Sequence, residues 1–182
     1  MEQEYTVITL TQPWATLVAI GAKQIETRSW ATTYRGPLLI HAAQGLGPGG
    51  KAGLRALVER EPFNRALCNL SENGMREWWG KDVVEELPRG AIVARCDLLD
   101  CIPTHHPNIP SEPGKPWFMG ARAGVGQHYY EVPPPLDSNE YAFGDYTPGR
   151  YAWLLSDVQA LSTPIPAKGQ LGLWTWRGAL PA

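Results

Sequence analysis

The chain has 182 residues and a mass of 20.1 kDa, which is the usual size of one domain. Hydrophobic residues make up 43% and charged residues 19% of the sequence, a composition that excludes a disordered, highly charged tail protein. The formal net charge of -2 and the pI near 6.1 argue against a protein that coats duplex DNA non-specifically, although a local basic cleft can exist inside a neutral total.

The N-terminal part of the sequence predicts a strand, a helix and two more strands. Residues 5–10 are rich in β-branched side chains, which favour a strand. A helix follows, with Pro13 at its first helical position and Gly21 as its stop. Residues 24–28 alternate as a strand does, and residues 38–42 form a short apolar strand.

The middle of the sequence predicts helices and one long strand. The GLGPGG run at residues 45–50 is a linker, because no G-K-[ST] follows it as a phosphate-binding loop requires. Apolar periodicity then predicts a helix that ends before Glu61, and one or two short helices over residues 63–80. Residues 91–102 are predicted to form a long strand.

Residues 103–135 are rich in proline and glycine, and a loop of this length is uncommon unless it is functional or disordered. We expect an inserted loop that forms an ordered or semi-ordered flap over the binding site. Strands are predicted again at residues 151–155 and 172–176. The predicted fold is a single α+β domain over residues 1–182, a small β-barrel with flanking helices.

Charged and aromatic side chains are concentrated in the first quarter of the chain. By strand alternation, Glu26 and Arg28 lie on one face, where they could form a fixed polar pair. Lys23 follows the predicted helix and could present its charge to the same cleft. The alternative is a solvated strand edge with a surface salt bridge worth about 0–1 kcal/mol. The other members of this stretch are Trp30, Tyr34, Arg35 and His41.

Four blocks of the sequence match a known family. The first is LTQPWATLVAIGAKQIETRSWATTYRGPLLIHAA, which contains a G-x-K-x-x-E-x-R pattern at Gly21, Lys23, Glu26 and Arg28. Further blocks are LPRGAIV, FGDYTPGRYAW and PIPAKG followed by GLW. Over nearly its whole length the sequence therefore resembles the ASCH domain family, part of the PUA-like β-barrel superfamily.

The resemblance implies a barrel whose cleft faces RNA or a nucleoside-like ligand. Some members resemble ribonucleases, and one branch is a 4-acetylcytidine amidohydrolase that uses Lys, Thr and Glu. That Lys corresponds to Lys23, whereas the Thr position holds Glu26, where this chain departs from the branch. The distant Glu has no clear match, and Glu140 and Asp145 are nearby candidates.

The leading prediction is binding of single-stranded RNA or a modified nucleoside, because aromatic rings and a few cations suit single strands. For Trp14 and Trp153, which lie on apolar periodic faces, core packing is the stronger interpretation. Asp145 could orient Lys23 or Arg150, or it could only cap its own turn. The candidate ligand-binding residues are Trp14, Arg28, Trp30, Tyr34, Arg35, Trp117 and Arg150, with Lys23 as a further cation.

Two alternatives remain open. The first is a hydrolase acting on RNA or a modified nucleoside, with Lys23, Glu26 and Asp145 as catalytic residues. A nearby Glu26 would raise the pKa of a lysine base, which favours binding over catalysis. The second is a protein-interaction module whose exposed tryptophans lie on the 103–135 loop.

Neither a metal nor another cofactor is expected. Cys96, Cys101, His105 and His106 do not have the spacing of a zinc finger. Three cysteines are too few for a disulfide scaffold and indicate a reducing compartment. The sequence lacks a basic signal-peptide region and an apolar run of about 20 residues. We therefore expect a soluble cytoplasmic protein whose partner is RNA or a nucleoside, with no membrane and with duplex DNA a poorer partner.

Overall fold

The computed structural model describes residues 3–68, 83–104, 119–122, 127–130 and 132–181. Within these residues the chain forms eight strands and five helices. The strands are β1 (Gln3–Leu10), β2 (Ile25–Arg28), β3 (Gly36–Ala42), β4 (Ala91–Pro103), β5 (Met119–Arg122), β6 (Gln127–Tyr130), β7 (Tyr151–Pro166) and β8 (Leu173–Gly178). The helices are α1 (Trp14–Ala19), α2 (Gly50–Val58), α3 (Phe63–Cys68), α4 (Val83–Glu86) and α5 (Asn139–Ala142).

Six strands form one mixed sheet in the order β2-β7-β4-β3-β1-β8. Strand β1 pairs in parallel with β3 and antiparallel with β8, and β2 pairs antiparallel with β7. The α+β prediction is confirmed. The closed barrel is not confirmed: in the described part of the chain, β2 and β8 end the sheet on either side. A strand of only four residues such as β2 is a common way to end a sheet.

The chain divides into two compact units. Unit 1 consists of Met1–Ala22, Pro37–Cys96 and Val158–Ala182, and unit 2 consists of Lys23–Gly36 and Asp97–Asp157. Strands β4 and β7 each contribute residues to both units.

Unit 1 has its own apolar core and contains the predicted first helix. Val7, Leu39, Ile92 and Trp174 form one buried cluster. Helix α1 buries four consecutive residues and ends as predicted at Gly21, whose positive φ of 74 suits a glycine after a helix. The backbone N–H of Gly21 closes this end by donating to the carbonyl of Val18 at 2.8 Å.

Unit 2 is built around a second apolar cluster that includes Ile25, Tyr146 and Leu154. Beside it lies α5, a single turn that the sequence analysis did not predict. The hydroxyl of Ser138 caps this turn by accepting a hydrogen bond from the backbone N–H of Tyr141 at 3.1 Å. The capped turn places Glu140 beside β2.

Two further differences concern the strands. Strand β7 continues to Pro166, well beyond the predicted end at residue 155. Its second half is mostly exposed, but Leu161 and Ile165 pack against the apolar cluster of unit 1. Strands β5 and β6 form an antiparallel hairpin within residues 103–135, where a loop was expected. Most of that loop lies outside the described residues, so the flap stays a prediction. The single domain over residues 1–182 also stays a prediction.

Candidate functional site

Lys23 occupies the centre of a charged cluster in unit 2. Its side chain is 0% exposed, and its Nζ donates to the backbone carbonyl of Ile25 at 2.5 Å. The same Nζ lies 4.0 Å from Oε2 of Glu26 and 3.7 Å from Oε1 of Glu140. The side chain of Lys23 is therefore buried, and this burial keeps its ammonium away from a phosphate at the surface. Its role in a cleft stays a prediction.

Glu140 is a second carboxylate beside Lys23, after Glu26, and it is one of the two residues that the sequence offered as the distant Glu of the amidohydrolase branch. It accepts hydrogen bonds from the backbone N–H of Gln24 at 2.7 Å and of Ile25 at 3.1 Å. Burial raises the pKa of Glu140, although the Lys23 ammonium and these N–H groups act in the opposite direction. The carboxylate therefore holds the start of β2 and faces a buried cation.

Two more side chains complete the group, which we call the Lys23 cluster: Lys23, Glu26, Arg28, Glu140 and Tyr146. Arg28 Nε lies 3.4 Å from Oε1 of Glu26, so the predicted same-face pair is in contact. The hydroxyl of Tyr146 donates to Oε1 of Glu140 at 3.5 Å. Burial, together with the carboxylates of Glu140 and Glu26, raises the pKa of Tyr146 and keeps its hydroxyl protonated.

Asp145 lies in a tight turn and contacts an arginine. Its carboxylate accepts hydrogen bonds from the hydroxyl and the backbone N–H of Thr147 and lies 3.2 Å from Nε of Arg150. The Thr147 hydroxyl contributes most to lowering the pKa of Asp145. Thr27 connects this turn to β2, since its hydroxyl accepts from the backbone N–H of Asp145 and its carbonyl accepts from Arg150.

Trp30 and Trp153 form an edge-to-face pair in unit 2. Their ring centroids lie 4.7 Å apart with planes at 86°, and Nε1 of Trp153 donates to the carbonyl of Trp30 at 3.4 Å. Trp153 is fully buried, which confirms core packing, whereas Trp30 is only half-buried. Trp30 is therefore the member of the pair that is accessible to a ligand.

Arg35 is held in one orientation by its neighbours. Its Nε and Nη2 donate to Oδ1 of Asp100 at 3.2 and 2.6 Å. Its Nη1 donates to the carbonyls of Thr32 at 2.9 Å and Tyr34 at 2.7 Å. Tyr34 is half-buried and Arg35 is exposed, so a ring and a fixed guanidinium plane occupy consecutive positions.

The remaining predicted residues lie elsewhere. Trp14 belongs to unit 1, is half-buried, and packs edge-to-face against Phe63 at 6.3 Å. Trp117, His105 and His106 lie outside the described residues. In the part of the chain that is described, no group of three or more acidic, histidine or cysteine side chains is arranged to hold a metal ion.

The charges of the candidate site balance. The cations Lys23, Arg28, Arg35 and Arg150 are each within 4.0 Å of a carboxylate, and the partners are Glu26, Glu140, Asp100 and Asp145. Four cations and four carboxylates give no net positive field, so attraction of a polyanion would depend on local geometry.

A membrane-spanning helix is not found among the described residues.

Comparison with known proteins places the chain in a family. The human activating signal cointegrator 1 is 30% identical over 115 residues, which cover 59% of this chain and 17% of that protein. The mouse activating signal cointegrator 1 is 32% identical over 97 residues, covering 52% of this chain and 14% of that protein. The chain thus matches less than a fifth of the length of these curated relatives. A family model for the ASCH domain matches residues 8–131, more than half of the chain, and the chain therefore belongs to the ASCH domain family.

Proposed function

We propose that the protein binds single-stranded RNA, or a modified nucleoside within it, through residues 28–35 of unit 2. The observation that carries this proposal is that Trp30 packs on the buried Trp153 and that hydrogen bonds fix the guanidinium of Arg35, with the half-buried ring of Tyr34 next to it in the chain. Bases of single-stranded RNA stack on aromatic rings and on arginine guanidinium planes. Membership in the ASCH domain family supports the same class of ligand.

The contacts of this segment favour stacking, because they hold its groups in place before a ligand arrives. Trp30 rests against the buried Trp153, and four hydrogen bonds orient the guanidinium of Arg35. The backbone N–H of Thr32 also donates to Sγ of Cys101 at 3.4 Å. A surface ordered in advance loses little conformational entropy on binding.

The test is fluorescence anisotropy of a labelled eight-nucleotide RNA with the full chain. We expect Tyr34→Leu to weaken binding about tenfold, since stacking contributes about 1–3 kcal/mol per base. Arg35→Lys should also weaken binding, because lysine lacks the planar guanidinium.

Two matched variants serve as controls. Tyr5→Leu removes a half-buried tyrosine of unit 1 that packs on Trp176, and Arg95→Lys changes an exposed arginine that hydrogen-bonds to Gln159. Both should bind RNA as the unaltered protein does. If the four variants weaken binding equally, the proposed surface is wrong.

A second candidate function is hydrolysis of an acetylated nucleoside by the Lys23 cluster. It is favoured by the raised pKa of Glu140 beside the buried Lys23 ammonium, since such pairs are concentrated at functional sites. Glu140 would deprotonate a water that adds to the acetyl carbon. The bond from carbonyl carbon to N4 then breaks, acetate leaves, and the released amine takes the proton.

Release of acetate from 4-acetylcytidine measures this activity. Glu140→Gln should abolish it, whereas Glu59→Gln, at an exposed position of unit 1, should leave it unchanged. Failure of the unaltered protein to release acetate would rule this candidate out. The interaction-module alternative rests on the loop containing Trp117, outside the described residues, and stays a prediction.

A further inference from the structure

Unit 1 contains a cleft of about 440 Å³, and none of the residues proposed to bind RNA lines it. It lies where β1 and β3 end, beside the loop that joins β7 to β8. Its volume falls in the usual range for sites that bind small molecules, about 300–1,000 Å³. The lining residues used below are Thr9, His41, Ala167, Lys168, Gly169 and Leu171.

His41 forms the buried wall of this cleft and is 1% exposed. Its Nε2 lies 3.0 Å from the carbonyl of Ala167. A carbonyl can only accept a hydrogen bond, so Nε2 carries the hydrogen and Nδ1 of the neutral ring is an acceptor. Burial lowers the pKa of His41, and it outweighs the Ala167 carbonyl, which acts in the opposite direction. The lowered pKa keeps the ring neutral.

Nδ1 of His41 is buried and has no hydrogen-bond partner among the described residues. Buried acceptors are almost always satisfied, so an exception calls for an explanation such as a ligand or a water. The ring itself is well fixed: Trp174 packs against it edge-to-face at 5.6 Å, and Nε1 of Trp174 donates to the hydroxyl of Thr9 at 3.1 Å.

Gly169 keeps the Nδ1 edge of the ring free of side-chain atoms. A Cβ at this position would lie 2.5 Å from Cε1 and 2.8 Å from Nδ1 of His41, which is closer than real contacts allow. Residues 168–171 are exposed and lie outside the strands, and Leu171 is 98% exposed. Because Nδ1 is covered, a donor can reach it only if this short loop shifts outward, a change of the kind that exposed connecting loops undergo on binding.

We propose that this cleft, the His41 cleft, binds a nucleoside monophosphate whose base donates an N–H to Nδ1 of His41. The occupant must carry a donor, and a neutral donor avoids burying a charge in the apolar interior. The exposed ammonium of Lys168 at the rim suits a phosphate on the outer end of the ligand. The inference goes beyond the proposed RNA surface, since it uses only residues of unit 1.

Isothermal titration of the full chain with adenosine 5′-monophosphate tests the proposal. We expect saturable binding, and about tenfold weaker binding of purine riboside 5′-monophosphate, which lacks only the amino group. Gly169→Ala should weaken binding more than tenfold, because its Cβ blocks the ring edge. Gly45→Ala is the matched control, since a Cβ there meets nothing within 4 Å and should leave binding unchanged.

A second measurement uses the unaltered protein, so it does not depend on how well a variant folds. The ¹⁵N resonance of Nδ1 of His41 should move when the monophosphate binds. If an adenylate oligonucleotide moves this resonance and the free monophosphate does not, the occupant is a nucleotide of RNA. If neither ligand moves it, or if Gly169→Ala binds as tightly as the unaltered protein, the proposal is overturned.

The two proposals fail separately. Tyr34→Leu should not alter binding of the monophosphate, and Gly169→Ala should not alter binding of RNA that lacks adenine. A loss of both activities in both variants would indicate a general loss of folding, which thermal unfolding of each variant would reveal. The His41 Nδ1 resonance of the unaltered protein would then decide whether the monophosphate binds.

Discussion

The carboxylate of Glu140 lies 3.7 Å from the ammonium of Lys23, and it also accepts the backbone N–H groups of Gln24 and Ile25. One side chain of α5 therefore compensates a buried charge and fixes the first residues of β2. This links the stability of unit 2 to the geometry of its candidate site.

Replacing Glu140 with alanine should lower the free energy of unfolding by about 2–3 kcal/mol. The change leaves the buried Lys23 with fewer anionic neighbours and removes the acceptor of the Ile25 N–H. Chemical denaturation measures the loss. Glu59→Ala, at an exposed position, should change the stability by less than about 0.5 kcal/mol; equal losses in the two variants would contradict the role of Glu140.

Replacing Thr27 with valine should cost about 1 kcal/mol, because the buried hydroxyl accepts the backbone N–H of Asp145 at 3.0 Å. Valine keeps the shape of the side chain and removes only the hydrogen bond. Thermal unfolding tests the prediction against Thr33→Val, an exposed threonine of the same unit. A variant as stable as the unaltered protein would show that the bond contributes nothing.

The stability of the protein should fall with acidity partly through His41. Its pKa is lowered by burial, so the unfolded chain binds a proton more readily than the folded one. The stabilising contribution is therefore complete above about pH 6.5 and is lost as the pH falls from there towards the lowered folded value. Urea denaturation at pH 7.5, 6.5 and 5.5 should show that the free energy of unfolding falls with pH, and that it falls less in His41→Gln. An equal fall in both proteins would refute the contribution of His41.

RNA binding should depend only weakly on salt. Three phosphate contacts would give a log–log slope of about -2, at about -0.7 for each contact. Because the candidate cations are matched by carboxylates and Lys23 is buried, we expect a slope shallower than about -1. Lys23→Met should leave the slope unchanged, and anisotropy titrations at 50 to 200 mM salt measure it. A steeper slope that Lys23→Met reduces would show that the ammonium reaches phosphate.

Local patterns predicted most of the larger elements. The β-branched run before Pro13, the stop at Gly21 and the alternation over residues 24–28 correspond to β1, α1 and β2. The single turn α5 was not predicted, because four residues are too few to show helical periodicity. Ser138 before an acidic first turn is a capping signal that could have indicated it.

The site was harder to predict than the fold, since its contacts join residues distant in sequence. Lys23 lies two residues after Gly21, between two elements, where a lysine is normally exposed. Its burial depends on the Ile25 carbonyl, on Glu26 and on Glu140, and the last of these is too distant in sequence for a local pattern to show. The fixed plane of Arg35 similarly depends on Asp100. His41 was predicted within a buried strand, but its covered Nδ1 depends on Gly169 from the far end of the chain.

Unit 2 is assembled from two separate stretches of chain, and this limits what a fragment can do. A synthetic peptide of residues 28–35 would carry the side chains of Trp30, Tyr34 and Arg35. It would lack Asp100 and Trp153, which hold them, and would sample many conformations. Such a peptide should bind RNA much more weakly than the full chain despite its identical chemical groups, because the proposed binding depends on how Asp100 and Trp153 hold these side chains and not on the linear sequence alone.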